Sequence, residues 1–162
     1  MPALILTLKL DSLSQTFFDE QRKRYFPPER NFLNAHLTLF HQLPDTAGTM
    51  QVVGNIKQEQ FKCDVTGLLF LGAGVAYKIE SLALNALHNK LKHDLLEHLI
   101  QQDKQGFRPH ITIQNKVPAE TAKQLFNGLT LSFKPFRVKA TGFELWRYVD
   151  GYWQHVVFYP FK

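Results

Sequence analysis

Residues 36–39 have the sequence His-Leu-Thr-Leu, and residues 110–113 repeat the pattern as His-Ile-Thr-Ile. Alternate side chains of a β-strand lie on opposite faces, so the His and Thr of each copy project from one face while the aliphatic residues enter the core. Each copy therefore presents one imidazole and one hydroxyl on the same surface. A single His-x-Thr is common by chance, but two copies in the same local context form a much more specific signal.

The first copy lies at the start of the second strand in a predicted strand-helix-strand unit. Residues 2–10 alternate like a strand, and Ser12 with Gln15 fits a capping box that opens a helix. Two prolines end this helix, and residues 35–43 predict the next strand.

The same order of elements returns in the second half of the chain. Residues 75–81 predict a strand, residues 82–102 predict a helix with leucines at helical spacing, and residues 110–114 predict a strand. The repeated units predict an α+β protein, a single domain of residues 1–162 with two related lobes. Further elements are predicted between and after these units: a weak helix over 48–60, a strand pair around 63–71, a helix over 118–127 that ends at Gly128, and tail strands over 143–149 and 152–159 joined by a turn at Asp150-Gly151.

The composition of the chain fits one soluble domain. With 162 residues, 44% hydrophobic residues and 14 Phe, the chain can bury a core. The single cysteine, Cys63, excludes an intrachain disulfide and a cysteine-rich zinc site, and favours a reducing compartment. Residues 65–77, the longest charge-free apolar stretch, are too few for a membrane span of about 20 residues, and the N-terminus lacks a basic leader. We therefore expect a cytoplasmic protein, a monomer without a membrane partner.

The formal net charge of +5 is compatible with two interpretations. A positive field attracts anions such as phosphates and nucleic acid, whereas a few surplus lysines also serve solubility alone.

The paired motifs predict a specific chemistry if the two lobes face each other across one cavity. Histidine titrates near pH 6.5, so one imidazole can accept a proton while its partner donates one. Such a pair on opposite sides of a phosphorus atom suits in-line displacement and needs no metal. The hydroxyls of Thr38 and Thr112 can donate hydrogen bonds to the non-bridging oxygens. The sequence does not distinguish the base from the acid between His36 and His110.

With these motifs the chain resembles the two-histidine (2H) phosphoesterases, in particular the bacterial 2′-5′ RNA ligase and cyclic phosphodiesterase branch. The resemblance extends over residues 35–40, 70–77 and 107–113. It implies a bilobal fold with antiparallel sheets around a central cleft, and cofactor-free action on 2′,3′-cyclic phosphates or 2′-5′ linkages of nucleotides or RNA, with RNA ligation as the reverse reaction. It also implies catalysis by four residues: His36, Thr38, His110 and Thr112.

Strand parity and proximity predict further residues of the cleft. Phe40 shares the face of the first motif and could stack on a base, although a core position is equally compatible with its sequence context. Arg108 and Gln114 share the face of the second motif, and Arg108 is a candidate phosphate ligand. The predicted substrate-binding set is Arg108, Phe40, Gln114, Tyr77 and Arg147, with Trp146 and Tyr148 as additional wall candidates.

Other interpretations remain open at the level of sequence. A metal site built on the two motif histidines lacks ligands, because no carboxylate shares a strand face with either imidazole. Parity places His41 on the face opposite the motif, and His155 has no evident partner. Gly72-Ala73-Gly74 predicts a hairpin turn rather than a phosphate loop. The alternative function is a non-catalytic module that binds a nucleotide or an RNA end.

Overall fold

The computed structural model describes residues 3–162, and the predicted strand residue Pro2 lies outside this range. The described residues form seven strands and five helices, with 3₁₀ turns at Pro28–Arg30 and Leu96–His98. In chain order the elements are β1 (Ala3–Leu10), α1 (Ser12–Tyr25), β2 (Leu37–Pro44), α2 (Ala47–Gly54), β3 (Phe61–Phe70), β4 (Val75–Glu80), α3 (Leu82–Asp94), α4 (Gln101–Lys104), β5 (His110–Gln114), α5 (Ala119–Ser132), β6 (Phe136–Val149) and β7 (Tyr152–Pro160).

The strands form one antiparallel sheet in the order β2-β1-β6-β3-β4-β5, with β7 paired to β6. The long strand β6 joins the two halves: residues 136–140 pair with β3, and residues 140–148 pair with β1. The two motif strands, β2 and β5, lie at opposite ends of this order. The α+β class predicted from the repeated units is confirmed.

Each half supports the motif strand of the other half. Helix α1 packs against β5, and its buried Arg22 donates from Nη1 to the Thr112 carbonyl oxygen at 3.3 Å. On the other side, buried His88 of α3 donates from Nε2 to the Leu39 carbonyl oxygen at 3.1 Å. These crossed contacts bring β2 and β5 next to each other, although the sheet order separates them.

The N-cap of α1 and the C-terminal end of α3 differ from the sequence prediction. The N-cap of α1 is Asp11, whose carboxylate accepts from the Ser14 amide at 3.2 Å, so the predicted capping box of Ser12 with Gln15 is wrong. Helix α3 ends at Asp94 instead of residue 102, and the chain then turns so that Leu99 and Asp103 are buried.

Helix α5 continues through Gly128, which was predicted to end it. A glycine inside a helix costs only about 1 kcal/mol relative to alanine, and Leu129, the next residue, packs against the core. Burial of the later turn therefore outweighs the weak local preference.

The predicted turns are confirmed. Asp150 and Gly151 have φ values of 49° and 87°, and they connect β6 to β7 as a two-residue hairpin turn requires. Residues 72–74 form the turn between β3 and β4, where the Leu71 amide donates to the Gly74 carbonyl at 2.8 Å. Cys63 is buried in the core. Across residues 3–162, every helix is too short or too polar to cross a bilayer.

Candidate active site

The two His-x-Thr motifs line one cavity of about 360 Å³ between β2 and β5, here termed the cleft cavity. The loop between α4 and β5 forms another wall of this cavity. His36 directly precedes β2, whereas His110 is the first residue of β5. The structure therefore brings together four residues that the sequence places in two distant segments: His36, Thr38, His110 and Thr112. All four side chains are partly exposed to the cavity.

Both imidazoles are oriented by the same local contact. The Nδ1 atom of His36 lies 2.8 Å from the Asn34 carbonyl oxygen, and Nδ1 of His110 lies 2.7 Å from the Arg108 carbonyl oxygen. A carbonyl oxygen only accepts, so each Nδ1 carries the hydrogen. In the neutral ring the lone pair is then on Nε2. Each half presents the reactive nitrogen of its histidine in the same way.

The electrostatic environment favours the neutral form of His36. Burial lowers the pKa of His36 to about 4, and the charges of Arg22, His110 and His41 act in the same direction. The hydrogen bond to Asn34 opposes this change but does not compensate for it. At neutral pH the His36 imidazole is consequently uncharged and can accept a proton.

A β-bulge follows the threonine of each motif. In the first half, Thr7 pairs with Thr38 but Leu6 pairs with Phe40, so β2 has one additional residue there. In the second half, the partners of Thr112 and Gln114 are consecutive residues of β4. Each bulge reverses the alternation of faces, so the residue two positions after the threonine turns inward.

The bulges explain why two residues that strand parity predicts in the cleft are buried instead. Phe40 is fully buried, with its ring centroid 4.6 Å from that of His88 and nearly parallel to it. The other face of His88 stacks on Phe107 at 3.8 Å. Gln114 is also buried, with 4% of its surface exposed. Neither Phe40 nor Gln114 lines the cleft cavity.

Tyr77 is also a core residue rather than a wall of the cleft. It pairs with Ile111, the inward residue of the second motif, and its hydroxyl donates to Gln21 at 2.7 Å. Burial raises the pKa of Tyr77 to about 12, which keeps the phenol protonated.

Three predicted residues of β6 lie outside the cleft cavity. The guanidinium of Arg147 binds both carboxylate oxygens of Asp45, so it is not free to bind a phosphate in the cleft. Trp146 lines a neighbouring cavity, and Tyr148 is exposed. Arg108 is the member of the predicted substrate-binding set that lines the cleft cavity, where its side chain is exposed.

Sequence reasoning missed three residues near the motif histidines. His41, which parity placed on the far face, lines the cleft cavity because the bulge reverses its direction. Asp103 is buried beside it and accepts hydrogen bonds from the His41 amide and from His41 Nδ1, each at 2.9 Å. The ring of Trp153 lies 4.7 Å from that of His36. Nothing in the local sequence around Asp103 or Trp153 indicates these contacts.

The ionised form of Asp103 is stabilised by its contacts. Burial alone would raise the pKa of this carboxyl group, but hydrogen bonds from His41 and Gln42 outweigh burial and hold the pKa below its ordinary value. His155, for which the sequence suggested no partner, contacts Glu144. Among residues 3–162, no three His, Cys, Asp or Glu side chains are arranged to hold a metal ion.

Comparison with known families identifies the chain. The family model of the 2′-5′ RNA ligase superfamily matches residues 10–151. The chain belongs to this superfamily. Its match includes both His-x-Thr motifs, and the predicted 2H resemblance is confirmed.

Solved structures of this superfamily's fold overlap nearly the whole chain. Escherichia coli LigT in complex with 3′-AMP matches with a TM-score of 0.63 and 18% identity, over 99% of this chain and 98% of that chain. A phosphoesterase matches with a TM-score of 0.67 and 20% identity, over 100% and 99%. A protein of Thermus thermophilus matches with a TM-score of 0.69 and 16% identity, over 98% and 97%. Comparison with curated protein sequences finds no match.

Proposed function

We propose that this 2′-5′ RNA ligase superfamily member is a metal-independent phosphodiesterase that acts on 2′,3′-cyclic phosphates of nucleotides or RNA ends, or on 2′-5′ linkages. The observation that carries the proposal is the matched presentation of two imidazoles, each with Nδ1 held by a carbonyl and Nε2 left for chemistry, in one cavity. Two threonine hydroxyls accompany them.

In the proposed hydrolysis, neutral His36 accepts a proton from water as the water oxygen attacks phosphorus. The bond between phosphorus and the departing ribose oxygen breaks, and His110 donates a proton to that oxygen. Thr38 and Thr112 donate hydrogen bonds to the non-bridging oxygens, whose negative charge must be stabilised in the transition state. In the proposed ligation, the 5′-hydroxyl of a second nucleoside replaces water: it gives its proton to His36 as its oxygen bonds to phosphorus. The bond between phosphorus and the 3′ oxygen of the cyclic phosphate breaks, the 3′ oxygen takes a proton from His110, and a 2′-5′ linkage remains.

The environment of His36 supports its proposed role as the base, and the position of His110 supports its proposed role as the acid. A base must be unprotonated at the working pH, and burial lowers the pKa of His36 to about 4. The acid must return a proton to the leaving oxygen from the other side, and His110 is the imidazole that lies across the cavity.

Other observations are in agreement with a nucleotide substrate. LigT structures with a similar fold are solved in complex with 3′-AMP, ATP and NADP⁺. The formal charge of +5 and the exposed guanidinium of Arg108 favour an anionic substrate. We further propose a monomer that acts in a reducing cytoplasm, since the lone thiol of Cys63 is buried in the core.

The direct test is turnover of 2′,3′-cyclic AMP and of an RNA with a cyclic end, in the presence of a chelator. Wild-type protein and a His93→Ala control, whose imidazole lies exposed on α3, should both be active. His110→Ala should lose about 100-fold or more of kcat, the contribution of one general acid. Loss of wild-type turnover with chelator, restored by added metal, would contradict the mechanism. Tight nucleotide binding without turnover would indicate a binding module instead.

A further inference from the structure

One side of α1 carries three polar side chains that reach the backbone of both motif segments. Gln15, Asp19 and Arg22 are spaced by four and three residues, so they lie on the same side of the helix. The first two contact the residue before His36, and Arg22 contacts the second motif. We refer to these three residues as the polar stripe of α1.

The first two residues of the polar stripe hold both backbone groups of Ala35. The Ala35 amide donates to a carboxylate oxygen of Asp19 at 2.8 Å, and Gln15 donates from Nε2 to the Ala35 carbonyl oxygen at 2.8 Å. Gln15 also donates from Nε2 to Asp19 at 2.9 Å, so the two side chains support each other. Ala35 is buried and directly precedes His36. These contacts fix the backbone from which the His36 imidazole projects.

The third residue of the polar stripe holds β5 and is itself buried. Arg22 donates from Nη1 to the Thr112 carbonyl oxygen at 3.3 Å and from Nε to the side-chain oxygen of Asn31 at 2.8 Å. Its guanidinium carbon lies 4.0 Å from the centroid of the Phe26 ring. These three partners are neutral, and Asp19 favours the charged form of Arg22. Because a guanidinium keeps its proton in proteins, Arg22 places a buried positive charge beside the motifs.

We propose that the polar stripe of α1 consists of positioning residues, which set the spacing of His36 and His110 by holding the backbone of both motifs from one helix. The inference rests on the proposed function and explains how its two halves are kept in register. Groups that act together on one phosphorus need a fixed separation, and a misplacement of about 1 Å can cost about 100-fold in rate. The sheet alone does not provide this separation, because β2 and β5 lie at opposite ends of its order. The charge of Arg22 is part of the role, since it favours the neutral imidazole that the base must be.

The effect of this charge on His36 distinguishes positioning from simple support of the fold. Burial is the largest cause of the lowered pKa of His36, and the charge of Arg22 acts in the same direction. Removing that charge should therefore raise the pKa of His36. The other titratable or charged side chains beside His36 stay in place in such a variant: Lys9 of β1, Asp19 of α1, His41 of β2, Asp103 of α4, Arg108 and His110 at the start of β5, and Glu144 of β6.

The kinetic test measures kcat and KM for 2′,3′-cyclic AMP in chelator with two variants of Arg22. Arg22→Met removes the charge and both hydrogen bonds, and it should lower kcat by about tenfold to 100-fold with KM retained. Arg22→Lys keeps the charge but loses the planar fork that holds two acceptors, so it should also lose kcat. The control Lys23→Met removes a positive charge from the exposed side of α1 and should have wild-type values.

A variant at the other end of the polar stripe tests the spacing without a change of charge. Gln15→Met removes the hydrogen bonds to Ala35 and Asp19. It should lower kcat as Arg22→Met does, while the pKa of His36 stays at its wild-type value. Gln15 is only half-buried, so this variant decides the question of spacing even when Arg22→Met does not fold.

A measurement on the free protein does not depend on turnover. NMR titration of the imidazole signals, with the His36 signal assigned by its loss in His36→Gln, gives the pKa of His36 directly. Arg22→Met should raise this pKa, whereas Arg22→Lys and Lys23→Met should leave it unchanged. The charge of Lys23 is exposed and therefore screened by solvent and salt.

The outcomes separate this inference from the proposed function. A raised pKa of His36 in Arg22→Met, with no turnover by the wild type, would support the role of Arg22 and contradict the phosphodiesterase. Wild-type kcat in Gln15→Met and in folded Arg22→Met would support the enzyme and overturn the positioning role. A pKa of His36 that is the same in wild type and Arg22→Met would overturn the part assigned to the Arg22 charge.

Discussion

Replacing the buried carboxylate of Asp103 with an amide should destabilise the wall of the cleft cavity. Asp103 is 5% exposed and lies on α4, while its hydrogen-bond donors belong to β2. The carboxylate accepts from the backbone amides of His41 and Gln42 at 2.9 Å and 3.0 Å, and from His41 Nδ1. In Asp103→Asn, one of the two oxygens becomes an NH₂ group that faces donors.

The expected loss can be estimated from the two backbone contacts. A hydrogen bond to a charged group contributes about 1.5–3 kcal/mol, and losing one of the two amide contacts, at the upper value because the new NH₂ group faces a donor, gives about 3 kcal/mol. The imidazole of His41 is largely solvated, so its pairing adds little. For a chain of this size, each kcal/mol shifts Tm by about 2–4 °C, so Asp103→Asn should lower Tm by roughly 6–12 °C.

The assay is urea unfolding of wild type, Asp103→Asn and the control Asp94→Asn. Asp94 pairs with Lys90 at 3.0 Å on the surface of α3, and its replacement should cost about 0.5 kcal/mol or less. Because the folded pKa of Asp103 is lowered, its contribution is present above the ordinary value of 3.8 and is lost as the pH falls below it. Two results would refute this reasoning. One is a loss of unfolding free energy in Asp103→Asn no larger than that in Asp94→Asn, and the other is a loss in Asp103→Asn that is the same at neutral and at low pH.

Three further predictions concern the core, the β4–β5 contact and the pH profile. Phe40→Ala should lower the free energy of unfolding by about 3–5 kcal/mol, because it removes a fully buried ring that stacks on His88. Phe32→Ala, at an exposed position, should have little effect, and urea unfolding of both variants checks this. Gly74→Ala should cost about 1–3 kcal/mol in the same assay, since its Cβ would lie 1.8 Å from a backbone oxygen of β5, and Gly67→Ala, which has open space, serves as control. In the pH profile of kcat/KM for 2′,3′-cyclic AMP, the midpoint of the acidic limb should lie below the ordinary histidine pKa of 6.5, because His36 acts unprotonated and burial lowers its pKa to about 4. An acidic limb with a midpoint at 6.5 that disappears in His36→Gln would contradict this.

The parts of the fold that depend on local periodicity could be predicted from the sequence. Strand β5 begins and ends as the alternation of residues 110–114 indicates, and the turn at Asp150-Gly151 has the positive φ values that its residue types favour. The placement of His36 and His110 in one cavity follows from the repeat of two similar units.

The bulges could not be predicted, because an added residue in one strand is defined by the register with its neighbour. Parity counting past Thr38 therefore placed Phe40 in the cleft and His41 outside it, the reverse of the structure. Long-range contacts were missed for a related reason. Asp103 lies 62 positions from His41, and neither segment carries a pattern that indicates the other.

The central claim is that His36 and His110 act together on one phosphorus atom. The most direct test measures kcat for 2′,3′-cyclic AMP in chelator with wild type, His36→Ala, His110→Ala and the double variant. Each single variant should lose about 100-fold to 10,000-fold of kcat. The double variant should be little slower than the less active single variant, because the effects of residues that act in one step are not additive. Full activity in either single variant, or losses that multiply in the double variant, would contradict the two-histidine mechanism.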